Sequence, residues 1–422
     1  MRLFIPRVLA FWALPILAFA QGSAPGALPS DLTLRDALAT AAARSPSLRA
    51  RSLELQAAEA RVERAGLRPP LSLSGDLENF VGTGNVSGVD ALETTVRLGA
   101  VIELSDRRRR RVDLATTERE ASAAASERAR LDVLGRVAIR FVEVAEAQEL
   151  LAERGREVEL ARVAISAVRR RIEIGAAPRF ELDKVEIALS QAQIRAEHAE
   201  HSLASARRGL AASMGQPEPT FSRVAADLFV LPPTAPFEVL VTRIEGNADL
   251  LALAAEERIA AARIRLAEAA QRPDVQVNAG LRRLEGLDDT AAVVGFSMPL
   301  GARPRAQSAM REAAALREST LEQQSAARLE LESTLFALCN ELQHARLELE
   351  ALRGPLEARA ASILEQVERG FRQGRFPFQE FALAQAQLSE TRRSAIDVAA
   401  HFHKLLIDIE RLTGRSASMT QE

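Results

Sequence analysis

"GAVIELSDRRRRRV", residues 99–112, carries an apolar/polar alternation straight into five consecutive arginines. Alternation is the period of a strand with one buried face. The pattern after the arginines is helical for about sixty residues. A short strand feeding a very long helix through a basic collar is an unusual junction, and the architecture follows from what surrounds it.

Leading into and through this stretch Thr94, Val96, Leu98, Ala100, Ile102 and Leu104 face one way, and Arg97 and Glu103 face the other. Just upstream, Leu71, Leu73 and Leu77 oppose Ser72, Ser74, Asp76 and Glu78. A second pair of runs has the same character: Val275, Val277, Ala279 and Leu281, then Ala292, Val294, Phe296, Met298 and Leu300. Each run is expected to reach about ten residues, the length a tilted strand needs to cross a bilayer. Gly-rich "VGTGNVSGVD" joins the first pair and "EGLDD" the second. The chain has no tyrosine and its one tryptophan is Trp12, so interfacial aromatics must be phenylalanines such as Phe80 and Phe296. Four such strands cannot close a barrel alone, and open edges are not tolerated in lipid, so several chains must share one barrel.

The chain also repeats itself. "IEIGAAPRFELDKVEIALSQAQ" matches "FRQGRFPFQEFALAQAQLSE", with Gly175 and Gly374, Pro178 and Pro377, and Gly215 and Gly414 all 199 residues apart. Arg68-Pro69 pairs with Arg272-Pro273, and Arg107 with Arg303. A spacing held over such a distance means duplication of a large unit. The expected division is a signal peptide (1–20), an N-terminal linker (21–32), a first repeat (33–215), a Pro-rich joint (216–236), a second repeat (237–414) and a tail (415–422). Each repeat reads helix, two strands, very long helix, tight turn, helix.

In the first repeat Thr33 and Asp36 form an acidic capping box for a helix reaching about Gly66. Arg107 to Ile172 would extend roughly 100 Å at 1.5 Å per residue. The helices 33–66 and 179–214, stacked end to end, match that length. A coiled-coil seam runs through Leu335, Leu338, Leu342, Ala345, Leu349, Leu352 and Leu356. Its counterpart starts at Leu134, Val137, Phe141 and Val144 and is diluted by Gln148, Gly155 and Arg162. Gly354-Pro355 is expected to kink the second long helix. Gly175 and Gly374 are expected at positive φ as helix C′ residues, with Pro178 and Pro377 stopping the helix.

Arg2 and Arg7, the apolar "VLAFWALPILAFA" and Ala18-Phe19-Ala20 make an n-region, h-region and cleavage signal, so the chain is expected to be exported. Removal of residues 1–20 would leave 53 basic and 57 acidic residues, a net charge of −4. No strong field draws in nucleic acid. Cys339 stands alone, so there is no disulfide framework and no cysteine metal cluster. No nucleotide-binding, zincin or serine-hydrolase motif occurs, and no cofactor is called for. His198 and His201 with Glu197 and Glu200 have helical spacing but read as a solvated face, and His401 and His403 point to different faces.

The duplicated grammar, "ENFVGTG…G…ETTVRLGAVIEL" leading into a basic helix start, and the paired Gly/Pro turns resemble the TolC-like outer-membrane efflux family over residues 33–414. Within it the chain is most similar to the CzcC-type branch associated with heavy-metal efflux. The resemblance implies a mainly α chain with a small membrane β part. Three copies would form a twelve-stranded barrel in the outer membrane and a helical coiled-coil barrel through the periplasm. It implies a passive exit duct working with a periplasmic adaptor and an inner-membrane RND-type pump; the alternatives are a multidrug channel or a periplasmic coiled-coil adaptor. It also implies that the turns gate the duct and dock the adaptor, through Gly175, Pro178, Arg179, Asp183, Gly374, Arg375, Pro377 and Glu380, with Gln379 beside Glu380. Arg171 and Arg372 are expected to be exposed there too. The family usually has a Gly-Gly-Lys-like turn where this chain has Ser105-Asp106, expected here as N-cap residues. Cations at a helix N-terminus oppose its dipole, so the collar Arg107, Arg108, Arg109, Arg110 and Arg111 is expected to contact anionic headgroups at the inner leaflet of the outer membrane.

Overall fold

The computed structural model describes residues 31–86 and 89–414. The expected signal segment, residues 21–30 of the linker and the 415–422 tail lie outside the described residues.

Thr33 caps the first helix as its sequence demands: its hydroxyl oxygen accepts from the Asp36 amide at 3.2 Å and donates to the Asp36 carboxylate at 2.6 Å. The expected single helix to Gly66 is in fact two, α1 (Leu34–Arg44) and α2 (Pro46–Gly66). Pro46 has no amide hydrogen for an interior helical bond, but it fits the first position of a new helix.

Four strands form one antiparallel sheet in the order β2 (Ser72–Glu78), β3 (Glu93–Ile102), β5 (Val275–Leu284) and β6 (Asp289–Ser297). A two-residue strand, β4 (Arg223–Val224), lies elsewhere, in the inter-repeat segment. β2 has seven residues, not the ten expected, and Leu71 falls just outside it. The register aligns Leu73, Leu98, Ala279 and Val294 in one row and Val96, Leu281 and Ala292 in the next. This face is apolar and open, with Leu73 76 % and Val294 82 % exposed. The opposite face is charged and internally paired. Arg97 bonds Asp76, and Arg282 reaches Glu93 at 2.7 Å, Glu78 at 3.0 Å and the Thr95 hydroxyl at 3.0 Å. Gly280 sits across from Arg97, where a Cβ would come within 2.1 Å of the Val96 carbonyl oxygen. β2 and β6 are the sheet edges.

From β3 the chain enters α3 (Arg107–Glu173), about 100 Å long at about 1.5 Å per residue. It reverses into α4 (Phe180–Ser213). α2 and α4 both pack along α3, as the matching lengths predicted, and α1, α6 (Ala248–Ala269) and α9 (Phe378–Leu412) also contact it. The second long rod is α7 (Ala302–Ala351) followed by α8 (Glu357–Arg372). Between them the expected kink is a π-helical turn, Leu352–Leu356, containing Pro355. A widened turn absorbs the amide that proline lacks. It also shifts the seam: Leu335, Leu342, Ala345 and Leu349 are buried, but Leu356, expected in line with them, is exposed.

The Pro-rich segment 216–236 is more than a joint. Its strand β4 (Arg223–Val224) pairs in parallel with β1 (Asp31–Leu32), and the Ala225 amide donates to Leu32 O at 2.8 Å. Gln148, read as a dilution of the seam, clamps it. Its side-chain oxygen accepts from the Val224 amide at 2.8 Å and its nitrogen donates to Val224 O at 3.2 Å. Phe221, Val224 and Leu228 are buried in one core cluster with Phe141, Leu210 and Met214. A short helix α5 (Phe237–Val241) then leads the second repeat, and Leu240 joins a second core with Leu335 and Phe402. The third core lies at the far end, around Phe371 and Phe381.

Candidate functional site: the hairpin tips and the sheet-to-helix junction

The long hairpins end in two turns built alike. Gly175 takes φ +71° and Gly374 φ +74°. In the first turn the Gly175 amide donates to Ile172 O at 3.0 Å and Ala176 to Arg171 O at 2.7 Å. In the second, Gly374 donates to Phe371 O at 3.0 Å and Arg375 to Gly370 O at 2.8 Å. Both are Schellman closures with glycine at C′. Pro178 and Pro377 do not stop the preceding helices, which the glycines have already ended. Pro377 is the N-cap of α9, and Pro178 O accepts from the Glu181 amide at 3.1 Å to start α4.

Arg179, Asp183, Arg375, Gln379 and Glu380 are exposed at these tips. Arg372 is exposed and paired with Glu368. Arg171 is not exposed as expected. Its side chain is 12 % accessible, 3.7 Å from Glu181 and stacked on Phe371 of the other hairpin. Phe371 stacks in turn on Phe381, with ring centroids 5.2 Å apart. Phe376 folds back over Gly370, where any Cβ would collide with its ring. Neither packing relation is legible in sequence, because the contacting residues come from different hairpins or need the turn geometry first.

Farther up the hairpins, two buried carboxylates of α3 that sequence reasoning missed hold the rods together. Glu157 bonds Arg154 at 2.5 Å, Arg195 at 3.3 Å and Ser389. Glu153 lies between Arg156 and Arg392, yet burial outweighs both cations and raises its pKa. Cys339 is buried, as free cysteines usually are, and burial raises its thiol pKa. His401 bonds Glu341 at 2.8 Å on the surface, while His403 is buried on another face. His201 lies 4.0 Å from Glu197 on the exposed side of α4.

At the other end, the collar is divided. Arg107 pairs with Asp274 of the second repeat at 2.5 Å, Arg111 with Glu103 and Arg110 with Asp113 at 3.4 Å. Arg108 and Arg109 are exposed. Asp106 occupies the N-cap position of α3, but its side chain makes no capping bond.

A family model for the outer membrane efflux protein matches residues 37–216 and 239–415. The chain belongs to the outer membrane efflux protein family. The cobalt-zinc-cadmium resistance protein CzcC of Cupriavidus metallidurans is 26 % identical, over 98 % of this chain and all of that protein. The outer membrane protein VceC of Vibrio cholerae has the same fold, with TM-score 0.73 and 18 % identity over 91 % of this chain and 96 % of its own. The CmeC outer membrane channel of Campylobacter jejuni superposes at TM-score 0.75 and 13 % identity, over 100 % of this chain and 95 % of its own. The resemblance read from the repeats is thus borne out.

Proposed function

We propose that the protein is the exit duct of a tripartite export system in the outer membrane and that it conducts heavy-metal cations. In this reading it catalyses nothing and binds no nucleic acid. An RND-type pump in the inner membrane and a periplasmic adaptor deliver cargo to its tips. The sheet carries the proposal: four strands with an open apolar face, charges paired on the other face and two free edges, set on a helical body about 100 Å long. Lipid demands closure of such edges. Three copies supply twelve strands, with Leu73, Leu98, Val294 and Phe296 toward lipid and Arg97 and Arg282 toward the lumen. The two repeats, 33–215 and 237–414, joined at 216–236, then place six tips per trimer, alternately Asp183-bearing and Gln379/Glu380-bearing, where they gate the duct and meet the adaptor.

The cargo rests on the near-full-length likeness to CzcC. Deletion of the gene is expected to sensitise cells to cobalt, zinc and cadmium more than to lipophilic drugs, with rescue by the plasmid-borne gene. Greater sensitivity to drugs would place the protein with multidrug channels. A soluble monomer, free of the outer-membrane fraction, would remove the duct reading altogether.

A further inference from the structure

At the junction of sheet and helices, three distant segments build a cleft of about 550 Å³. Arg110 from α3, Arg265 from α6, Arg272 just after its end and Arg303 from the start of α7 line it. Two carboxylates, Asp106 and Glu268, share the lining, so four guanidinium charges face two negative ones. The collar arginines Arg107 and Arg111 are held by carboxylates. Arg265, Arg272 and Arg303, by contrast, have no ion-pair partner among the described residues, and Arg110 has only the 3.4 Å contact to Asp113. Cations gathered without counter-charges repel one another, and clefts with low-dielectric walls concentrate that field.

Two further features point the same way. α3 and α7 both start beside the cleft, and neither N-cap, Asp106 or Gly301, supplies a side-chain capping bond. Among the described residues no side chain accepts from the first amides of either helix (Pro304 of α7 has none to offer), and their dipoles add positive potential. The Ser105 hydroxyl, which also lines the cleft, is buried and has no hydrogen-bond partner among the described residues. Forked guanidinium groups, helix-start amides and an idle hydroxyl match the oxygens of a phosphate.

We propose that this cleft is a phosphate-binding site, filled either by the phosphate of an anionic lipid headgroup or by free phosphate. The lipid source rests on the outer-membrane placement proposed above; the site itself does not. Binding is measured on the full-length protein in detergent with two probes. One is radiolabelled inorganic phosphate, and the other is phosphatidylglycerol against phosphatidylcholine in nanodiscs, scored by the lipid retained in native mass spectrometry. The variants are R265Q/R272Q/R303Q, the same triple to lysine, and R35Q/R359Q as a control on exposed arginines of α1 and α8.

Saturable binding of one probe, weakened about tenfold or more in the glutamine triple and unchanged in the R35Q/R359Q control, is expected. The lysine triple, which keeps the charge but not the fork, should fall between. Saturable inorganic phosphate identifies a free anion, and preference for phosphatidylglycerol without phosphate binding identifies a headgroup. If the glutamine triple loses its helical circular dichroism, the lysine triple alone decides. No saturable binding of either probe, or equal loss in the R35Q/R359Q control, would overturn the site. Neither result bears on metal sensitivity, which tests the duct independently.

Discussion

The guanidinium of Arg171 lies 5.4 Å from the centre of the Phe371 ring, joining the last turn of one hairpin arm to that of the other. Phe371 is 1 % exposed, so its ring anchors the tip core with Phe381, Leu364 and Val168. Truncating a buried phenylalanine costs about 3–5 kcal/mol. Removing a partly desolvated cation–π contact costs about 1 kcal/mol. F371A should therefore accelerate amide exchange in 164–185 and 364–388 strongly, and R171Q weakly, while residues of the sheet exchange as in the wild type. Equal exchange at the tips of F371A and wild type would mean that the hairpins are held together elsewhere.

Two kinds of glycine can be separated by one substitution each. Gly175 and Gly374 need their positive φ, but open space surrounds the place where a Cβ would stand. G175A and G374A should each cost about 1–2 kcal/mol, the left-handed penalty alone, and leave the protein in the outer membrane. At Gly280 the obstacle is the neighbouring strand itself. G280A must push β5 away from β3, and it should sharply reduce membrane-inserted protein. Insertion of G280A at wild-type levels would show that the sheet relaxes around it.

The repeat spacing was the most legible part of the fold. Gly215 and Gly414 take φ +78° and +70°, and the two tip glycines agree as closely, so 199-residue periodicity carried backbone conformation with it. Seams showed for the same reason: burial of Leu335 and Leu342 follows from local period. What escaped depends on partners far along the chain. Gln148 looked like a flaw in a seam until Val224 appeared beside it. The five arginines dominated the sequence, yet Arg107 is bound by Asp274 from the other repeat. Arg265, Arg272 and Arg303, which have no ion-pair partner among the described residues, are separated in sequence from Arg110 and meet it only in three dimensions.

His403 offers a pH test. Its Nε2–H donates to Leu228 O at 3.0 Å, leaving Nδ1 buried without a partner among the described residues. Burial lowers its pKa below 6.5, against smaller opposing effects from the Leu228 hydrogen bond and the Asp227 charge. The unfolded chain therefore binds the proton more readily than the folded one. The stability held by neutral His403 is complete above its unfolded pKa and is lost as pH falls from there toward the folded value. Between about pH 7.5 and about pH 5.5, wild-type thermal stability should drop more than that of H403Q, whose amide can still donate to Leu228 but does not titrate. Parallel pH curves for the two proteins would exclude His403 as a source of acid sensitivity.

The tips carry the sharpest functional test, because the structure sorts their arginines. Arg171 is packed into the contact between hairpins and Arg372 is tied to Glu368, so substituting either would disturb the fold or an existing pair. Arg179 and Arg375 differ: both are exposed, one per turn, and no ion pair holds either among the described residues. Arg179 is the N-cap of α4, and Arg375 directly follows Gly374. Exposed surface substitutions of this kind usually change stability by no more than about 0.5 kcal/mol. An interface that reads these charges would respond far more strongly, since like-charge juxtaposition across a contact costs several kcal/mol. R179E/R375E should therefore abolish metal export in cells while leaving protein level, detergent-resistant assembly and outer-membrane insertion as in the wild type. The single variants should show intermediate sensitivity if both turns take part in docking. Wild-type export by the double variant would reduce the turns to connectors, and loss of insertion together with export would assign these arginines a folding role.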